Sequence, residues 1–295
     1  MKIASLLPSA TEIVYALGLE EHLVGVTFEC DYPPQARADV DIVVGGLDML
    51  HLTPGEIDAA VRDKLVADDN LYELQIDRLR ALQPDLILTQ DLCRVCAVPS
   101  GQVDAAMVSI GCSAEVVTLD PNTLDDVLQS LVDVARAAGV EERGHELVTS
   151  LRDRLAVLAN RLDGLPRPRV FVLEWVEPAF LAGHWVPDVV IAAGGEPVLC
   201  TPGSRSYPTT WDEINAANPD VIIVAPCGFG TDDAAAQALT IVDLATPATP
   251  IWAVDANAYI VRPSPRLVDG AEIIAAILHP SIFPTPGPAL ARRVA

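Results

Sequence analysis

A pattern of helix, Pro-Asp and aliphatic strand occurs twice in this chain, and it constrains the possible fold more than any other feature. The first copy extends from Ile76 to Leu88 and the second from Trp211 to Val224. In each copy an amphipathic segment stops at Pro-Asp, because proline cannot continue a helix, and a short aliphatic segment follows as a buried strand. The repeat therefore predicts two α/β halves of similar construction.

A long amphipathic helix is predicted between the two halves, from about Glu141 to Leu162. Leucines recur there at steps of three and four residues, which places them on one helix face. These leucines are Leu147, Leu151, Leu155, Leu158 and Leu162. A helix of this length measures about 33 Å, because each residue adds about 1.5 Å. Such a helix is long enough to cross two domains.

Alternating strands and helices predict parallel sheets that are covered on both faces. We therefore expect an α/β protein of two doubly wound lobes, joined by the long backbone helix, with a ligand cleft between the lobes. The expected bounds are 1–120 for the N-terminal lobe, 121–165 for the connecting and backbone helices, and 166–295 for the C-terminal lobe.

Two local patterns make further structural predictions. Ser9 and Glu12 have the spacing of a capping box, so Ser9 is expected to cap the first helix. The proline-rich tail after Pro280 is expected to be loose.

Charge and hydropathy exclude several kinds of partner. The net charge of −22 disfavours binding to nucleic acid and to anionic membrane surfaces. No run of eighteen apolar residues is present, so no membrane insertion is expected. The sequence as written shows no signal peptide, which predicts a cytoplasmic protein with mostly free cysteines. A monomer is also expected. A longer true N-terminus would instead make the protein periplasmic or otherwise extracytoplasmic.

In open parallel sheets, ligands collect outside the carboxyl ends of the strands. Aromatic rings at these positions would suit a large ring-shaped ligand, and Arg262 would suit a carboxylate, a phosphate or a salt bridge within its lobe. The positions selected are Ser9, Glu29, Cys30, Asp31, Tyr32, Gln90, Asp91, Leu92, Cys93, Cys96, Glu174, Trp175, Cys227, Gly228, Phe229, Asn257, Ala258 and Tyr259, with Tyr207 and Arg262 nearby.

The cysteines raise a second possibility. Cys93 and Cys96 have the spacing of a metal or redox pair, and Cys30 or Cys227 would complete a metal site. The alternative is that these cysteines are small apolar residues that fill loop interiors. The sequence lacks a G-x-G-x-x-G motif after the first strand, a P-loop lysine and a G-x-S-x-G elbow, which favours binding over catalysis.

Four segments between residues 2 and 280 resemble the substrate-binding proteins of ABC importers for cobalamin and iron chelates, the helical-backbone class, and are most similar to the cobalamin-binding branch. They are Ser5–Glu12 with Gly18, Gly25–Val26 with Asp31–Ala36, Leu82–Ile87, and Arg262–Arg266 before a helix. The resemblance implies capture of a corrinoid between two lobes and delivery to an ABC permease. It also implies ligand contacts from residues 29–32, Phe180, Tyr207 and residues 259–262.

The first hypothesis is therefore non-catalytic binding of cobalamin or a related corrinoid, with no required cofactor. The alternatives are a cytoplasmic thiol-based metal-binding protein that uses Cys93 and Cys96, and a binding protein for an iron chelate such as a siderophore or haem. The expected ligand-binding residues are Glu29, Cys30, Tyr32, Asp91, Trp175, Phe180, Tyr207, Tyr259 and Arg262.

Overall fold

A computed structural model describes residues 1–46, 52–67, 71–91 and 98–295 of the chain. The chain divides into two compact units, which are described separately. Unit 1 comprises Met1–Pro121 and Leu128–Thr149, and unit 2 comprises Asn122–Val127 and Ser150–Ala295. That the lobes with the expected bounds fold as independent domains stays a prediction.

Unit 1 is built on a six-stranded sheet with the strand order β4-β3-β2-β1-β5-β6. Its strands are β1 (Ile3–Ser5), β2 (Leu23–Thr27), β3 (Asp41–Gly46), β4 (Tyr72–Leu74), β5 (Leu86–Thr89) and β6 (Glu115–Thr118). Its helices are α1 (Pro8–Ala16), α2 (Gln35–Asp39), α3 (Pro54–Val66), α4 (Ile76–Leu82), α5 (Ser100–Ile110) and parts of α6 (Leu124–Ala137) and α7 (Glu141–Leu162), with a 3₁₀ turn at Glu20–His22.

The parallel part of this sheet has a switch point between β1 and β5. From β1 the chain passes to β2 and β3 on one side, and later returns to β5 and β6 on the other. Loops that leave neighbouring strands at such a point diverge, so a ligand can lie between them. The antiparallel strand β4 closes the other edge beside β3.

The first helix shows that the predicted Ser9 cap is wrong. Helix α1 begins at Pro8, with Leu7 as the N-cap residue and no side-chain cap. Proline has a fixed φ and no N–H group, so it suits the first helical position and moves the start one residue earlier. Ser9 therefore lies buried inside the first turn.

Unit 2 contains a seven-stranded sheet with the order β10-β8-β7-β11-β12-β13, and β9 also pairs with β7. Its strands are β7 (Arg169–Val176), β8 (Ala179–Leu181), β9 (Glu196–Pro197), β10 (Tyr207–Pro208), β11 (Val221–Val224), β12 (Ile251–Val254) and β13 (Ala291–Arg293). Its helices are α8 (Val186–Ala192), α9 (Trp211–Ala216), α10 (Thr231–Thr240), α11 (Ala256–Tyr259), α12 (Leu267–Leu278) and the remaining parts of α6 and α7 (Glu141–Leu162).

Both sheets contain parallel strands, so the predicted α/β class is confirmed. They are mixed rather than purely parallel, because β4, β8, β10 and β13 each form antiparallel pairs. The predicted loose tail is wrong: β13 pairs with β12, and Arg292 forms an ion pair with Asp232 at 2.6 Å. Within the described residues, no helix is both long enough and apolar enough to cross a membrane.

The long helix has the predicted bounds, and α7 contains 22 residues. In unit 1, Gly144 lets α7 approach α6 closely, because an added Cβ would lie 2.6 Å from the Cβ atom of Ala135. In unit 2, the Arg154 guanidinium binds the carboxylates of Asp269 and Glu272 on α12. Helix α7 is thus anchored separately within each unit.

Candidate ligand-binding site

The segment after β2 carries two of the predicted ligand-binding residues of unit 1. The Tyr72 hydroxyl donates to the Glu29 carboxylate at 3.4 Å, and the ring centroids of Tyr72 and Phe28 are 6.3 Å apart. Tyr72 therefore connects the edge strand β4 to this segment. Glu29 is half-buried, and the side chain of Tyr32 is 46% exposed.

Cys30 lies inside unit 1 and offers no surface to a ligand. It is fully buried, with its Sγ atom 3.0 Å from the Thr11 hydroxyl. Thr11 donates to the Ser5 hydroxyl at 2.8 Å, and Ser5 donates to the Leu7 carbonyl at 2.9 Å. The prediction that Cys30 contacts the ligand is corrected, because its thiol belongs to this buried group of hydroxyls.

Asp91 has a structural role that its sequence position did not indicate. Its carboxylate accepts hydrogen bonds from the backbone N–H of Ser100, at 2.7 Å, and from the Ser100 hydroxyl. Ser100 is the first residue of α5. The carboxylate thereby satisfies a backbone donor at the helix N-terminus and complements its dipole. The structure thus places Asp91 at the start of α5.

In unit 2, the antiparallel pairing of β7 with β8 shifts its register near Glu174. Leu173 pairs with Leu181, but the next pair is Trp175 with Phe180, so Glu174 is the extra residue in β7. Directly opposed residues of an antiparallel pair share a face, and a bulge redirects the side chains beside it. Glu174, Trp175 and Phe180 are all half-buried.

The Trp175 ring also packs against Phe229, which follows β11. Their ring centroids are 5.8 Å apart, and the planes are tilted by 49°. The Trp175 indole N–H donates to the Glu177 carbonyl at 3.0 Å, and the Phe229 carbonyl accepts from Ala256 N–H at 3.2 Å. Trp175, Phe180 and Phe229 are called the aromatic cluster below. The cluster lies where β7 and β11 end. Ligands of open parallel sheets bind outside the carboxyl ends of the strands, which is called the strand-end rule below, so this is an expected place for a ligand site.

A polar network fixes Glu174 beside this cluster. The Ser206 hydroxyl donates to Glu174 Oε2 at 2.9 Å and itself accepts from Gly183 N–H at 3.0 Å. Burial, together with the charge of Glu174, raises the pKa of the Cys200 thiol to about 11. The fold therefore orients the carboxylate of Glu174.

Tyr207 does not share the face of the aromatic cluster. It pairs with Leu181, whereas Phe180 pairs with Pro208, and neighbouring residues of a strand point to opposite faces. The Tyr207 hydroxyl donates to the Leu199 carbonyl at 2.6 Å. Tyr207 and Phe180 were each predicted to bind the ligand, and the register places their side chains on opposite faces of the sheet.

The last predicted segment follows β12. Asp255 caps the short helix α11 by accepting from Ala258 N–H at 2.8 Å. The Tyr259 ring centroid is 5.9 Å from the Arg266 guanidinium carbon, and both Tyr259 and Arg262 are half-buried. The structure therefore brings a phenol and two guanidinium-bearing residues into one segment.

Two residues of the predicted cysteine metal site, Cys93 and Cys96, are outside the described residues. Among residues 1–46, 52–67, 71–91 and 98–295, no group of three or more His, Cys, Asp or Glu side chains is arranged to hold a metal ion. The four cysteines in these ranges are free thiols, and Cys227 is exposed whereas Cys30 is buried.

Two features of the site were not predicted from the sequence. The bond between Ser206 and Glu174 joins residues 32 positions apart, and no local pattern indicates it. Tyr72 was missed because β4 has only three residues, too few for a periodic signal. Phe229 followed a predicted strand, so the strand-end rule did select it, although it was not among the final candidates.

Two known proteins are similar to this chain in sequence. The chain is 24% identical to the uncharacterized ABC transporter substrate-binding lipoprotein YvrC of Bacillus subtilis, over 96% of the chain and 81% of that protein. It is also 24% identical to a vitamin B12-binding protein of Vibrio cholerae, over 94% of the chain and 88% of that protein.

Solved structures share the fold. A periplasmic heme-binding protein from Pseudomonas aeruginosa has a TM-score of 0.73 at 21% identity, covering 100% of this chain and 98% of its own. The periplasmic vitamin B12-binding protein BtuF of Vibrio cholerae has a TM-score of 0.64 at 23% identity, covering 95% and 97%. The model of the periplasmic binding protein family matches residues 3–241, most of the sequence, and the chain therefore belongs to the periplasmic binding protein family.

Proposed function

We propose that this chain is the substrate-binding protein of an ABC importer and that its ligand is cobalamin or a related corrinoid. The aromatic cluster carries this proposal, because it places apolar ring surface at the strand ends where ligands bind in this class of sheet. A corrinoid offers a large macrocycle to such a surface. The vitamin B12-binding relative supports the same ligand.

The proposed contact set follows from the positions of the side chains. Trp175 and Phe180 supply ring surface in unit 2, and Phe229 joins them. Glu29, Tyr32, Tyr259 and Arg262 stay in the set as half-buried or exposed residues at strand ends. Cys30 is left out because it is fully buried. Asp91 is left out because its carboxylate accepts a hydrogen bond at the start of α5. Tyr207 is left out because it lies on the other face.

An iron chelate such as haem or a siderophore is the second candidate. Arg262 and Arg266 favour it, because guanidinium groups pair well with carboxylates such as the propionates of haem. Arg266 lies near the Tyr259 ring, and a tyrosine phenolate is a known ligand of haem iron. The thiol-based metal site at Cys93 and Cys96 stays a separate prediction, to be tested by metal analysis.

The proposed role is binding without a chemical step. The partner is an ABC permease, and the protein is expected to act as a monomer outside the cytoplasmic membrane, as periplasmic binding proteins do. The expected cytoplasmic location rested only on the start of the sequence as written. Fractionation of cells that express the full natural reading frame, with an antibody to the protein, tests this placement.

Titration with cyanocobalamin tests the ligand directly. Quenching of tryptophan fluorescence at a 1:1 stoichiometry, with a dissociation constant of about 1 μM or lower, is the expected result. Haemin and a ferric siderophore are titrated in parallel. If either one binds and cobalamin does not, the ligand is an iron chelate and not a corrinoid.

A further inference from the structure

We propose that Gly46 is a positioning residue for ligand binding: the space left by its missing side chain holds the Phe28 ring, which fixes the position of residues 29–32. This inference rests on the proposed function, because Glu29 and Tyr32 belong to the proposed contact set. It adds the feature of unit 1 that determines where these two contact residues lie.

Phe28, Gly46 and Tyr72 meet at one edge of the sheet of unit 1. Phe28 directly follows β2, and its backbone N–H donates to the Val44 carbonyl on β3 at 3.1 Å. Gly46 is the last residue of β3 and pairs with Tyr72, the first residue of the antiparallel strand β4. Because β2 and β3 are parallel, their carboxyl ends lie at this same edge. The strand-end rule therefore places all three residues where a ligand is expected.

The Phe28 ring occupies the space in which a side chain at position 46 would lie. A Cβ atom added to Gly46 would be 2.5 Å from Phe28 Cζ and closer still to Cε1, which is far inside van der Waals contact. The Tyr72 ring packs beside Phe28, with centroids 6.3 Å apart and planes tilted by 43°. Any residue other than glycine at position 46 would therefore displace the Phe28 ring.

The backbone connects the position of Phe28 to that of Glu29. The Phe28 carbonyl accepts from the Arg37 guanidinium at 3.2 Å, so both polar groups of the Phe28 backbone are bonded. Cys30 is fully buried, and its N–H donates to the Thr27 carbonyl at 3.0 Å. Glu29 thus lies between two anchored neighbours. A shift of the Phe28 ring consequently moves Glu29 and the residues that follow it.

A positioning role and a purely structural role predict different results. Contact residues must be held to within about 0.5 Å of their productive positions, so a shift of residues 29–32 should weaken ligand binding even in the folded protein. If the Phe28 ring only stabilises the edge of the sheet, its displacement should lower the unfolding temperature and leave the affinity of the folded protein unchanged. Affinity and stability are therefore measured separately.

The test compares Gly46→Ala with Gly45→Ala, its matched control in the same strand. An added Cβ at Gly45 would be 3.7 Å from Gln75 Nε2 and 3.9 Å from the Glu73 carbonyl oxygen, which is ordinary contact, and neither glycine has a left-handed φ. Calorimetry with cyanocobalamin, well below the unfolding temperature, measures the dissociation constants. Gly46→Ala should weaken binding roughly tenfold, whereas Gly45→Ala should change it by no more than about twofold.

A second substitution tests whether the steric clash is the cause. Phe28→Leu removes Cε1 and Cζ, the two atoms that the methyl group added by Gly46→Ala would strike. Gly46→Ala should therefore weaken binding less in the Phe28→Leu background than in the wild type, and the effects of the two substitutions should depart from additivity by roughly threefold or more.

Tyr72 provides a readout that leaves Gly46 unchanged and stays informative if Gly46→Ala does not fold. Tyr72→Leu removes the ring that packs beside Phe28 and should weaken cyanocobalamin binding by roughly threefold or more. Tyr72→Phe retains the ring and should preserve most of the affinity. Thermal unfolding of each variant shows that the affinities are those of folded protein.

The outcomes separate the two proposals. If Gly46→Ala is folded and binds cyanocobalamin as tightly as the wild type, the positioning role is overturned and the proposed function stays in place. Additive effects of Gly46→Ala and Phe28→Leu would overturn it in the same way. A wild-type protein that binds neither cyanocobalamin nor haemin would overturn the proposed function and this inference with it.

Discussion

Trp175 and Phe180 lie directly opposite each other in the antiparallel pairing of β7 and β8. Their rings therefore share a face of the sheet, and Tyr207, paired with Leu181, lies on the other face. This relationship places Trp175 and Phe180 on one face of the sheet and Tyr207 on the other.

Alanine substitutions test this division. Phe180→Ala is expected to weaken cyanocobalamin binding by about 1–2 kcal/mol, because it removes ring contact from the ligand surface. Tyr207→Ala is its matched control and should leave the affinity unchanged, although loss of the bond to Leu199 should lower the stability. Fluorescence titration measures both affinities. A larger affinity loss for Tyr207→Ala than for Phe180→Ala would show that the ligand lies on the other face.

The contact between Trp175 and Phe229 gives a second prediction. A double-mutant cycle with alanine at both positions should show a coupling of about 0.5–1.5 kcal/mol in the free energy of unfolding. Trp175→Ala alone should also weaken cobalamin binding by about 1–3 kcal/mol. Trp211→Ala is the control, because Trp211 packs against the core of unit 2 and should affect stability only. Zero coupling would contradict the packing of the two rings.

The general architecture was predictable because it depends on local signals. The 22-residue helix α7 has the predicted bounds, since leucine periodicity and the glycine and proline that follow it define them. The short strands β8, β9 and β10 were not predicted, because two or three residues cannot establish an alternation. Strand β13 was missed because its three residues follow a proline-rich segment and pair with the distant strand β12.

The candidate site was only partly predictable. The strand-end rule placed Glu174 and Trp175 correctly at the end of β7, because it needs only the order of strands. It could not show that Cys30 is fully buried or that the Asp91 carboxylate binds Ser100, because burial and pairing depend on residues distant in the sequence. The bulge at Glu174 likewise depends on the register with β8, which the sequence does not encode in an obvious pattern.

A third prediction concerns how α7 is held in unit 2. Arg154→Met should lower the free energy of unfolding by about 1–2 kcal/mol, between the values for exposed and buried ion pairs. The Arg154 side chain is 37% exposed and contacts Asp269 and Glu272, so solvent screens part of the interaction. Arg152→Met is the matched control on the same helix: its side chain is 60% exposed and its pair with Asp125 is 3.5 Å long. Equal effects in urea unfolding would contradict an anchoring role for Arg154.

The buried residue His279 gives a prediction about pH. Burial lowers its pKa from the ordinary value of 6.5, and a hydrogen bond with the Gly194 backbone opposes this only in part. Because the pKa is lower in the folded state, the unfolded chain binds more protons below about pH 6.5, so stability should fall as the pH falls. His279→Gln should therefore reduce the loss of stability between about pH 7 and pH 5.

Unfolding in urea at a series of pH values measures this slope. His184 also has a pKa that burial lowers, followed by the effect of Arg205, so part of the pH dependence should persist in His279→Gln. An unchanged slope in His279→Gln would show that His279 does not titrate with unfolding.

The central claim is that this periplasmic binding protein captures a corrinoid on the aromatic cluster of unit 2. Isothermal calorimetry of the purified, ligand-free protein with cyanocobalamin, repeated with Trp175→Ala and with haemin, tests it most directly. We predict 1:1 binding of cyanocobalamin at about micromolar strength or tighter, weaker binding by the variant, and weaker binding of haemin by the wild type. Tight haemin binding with no heat from cyanocobalamin would contradict the claim.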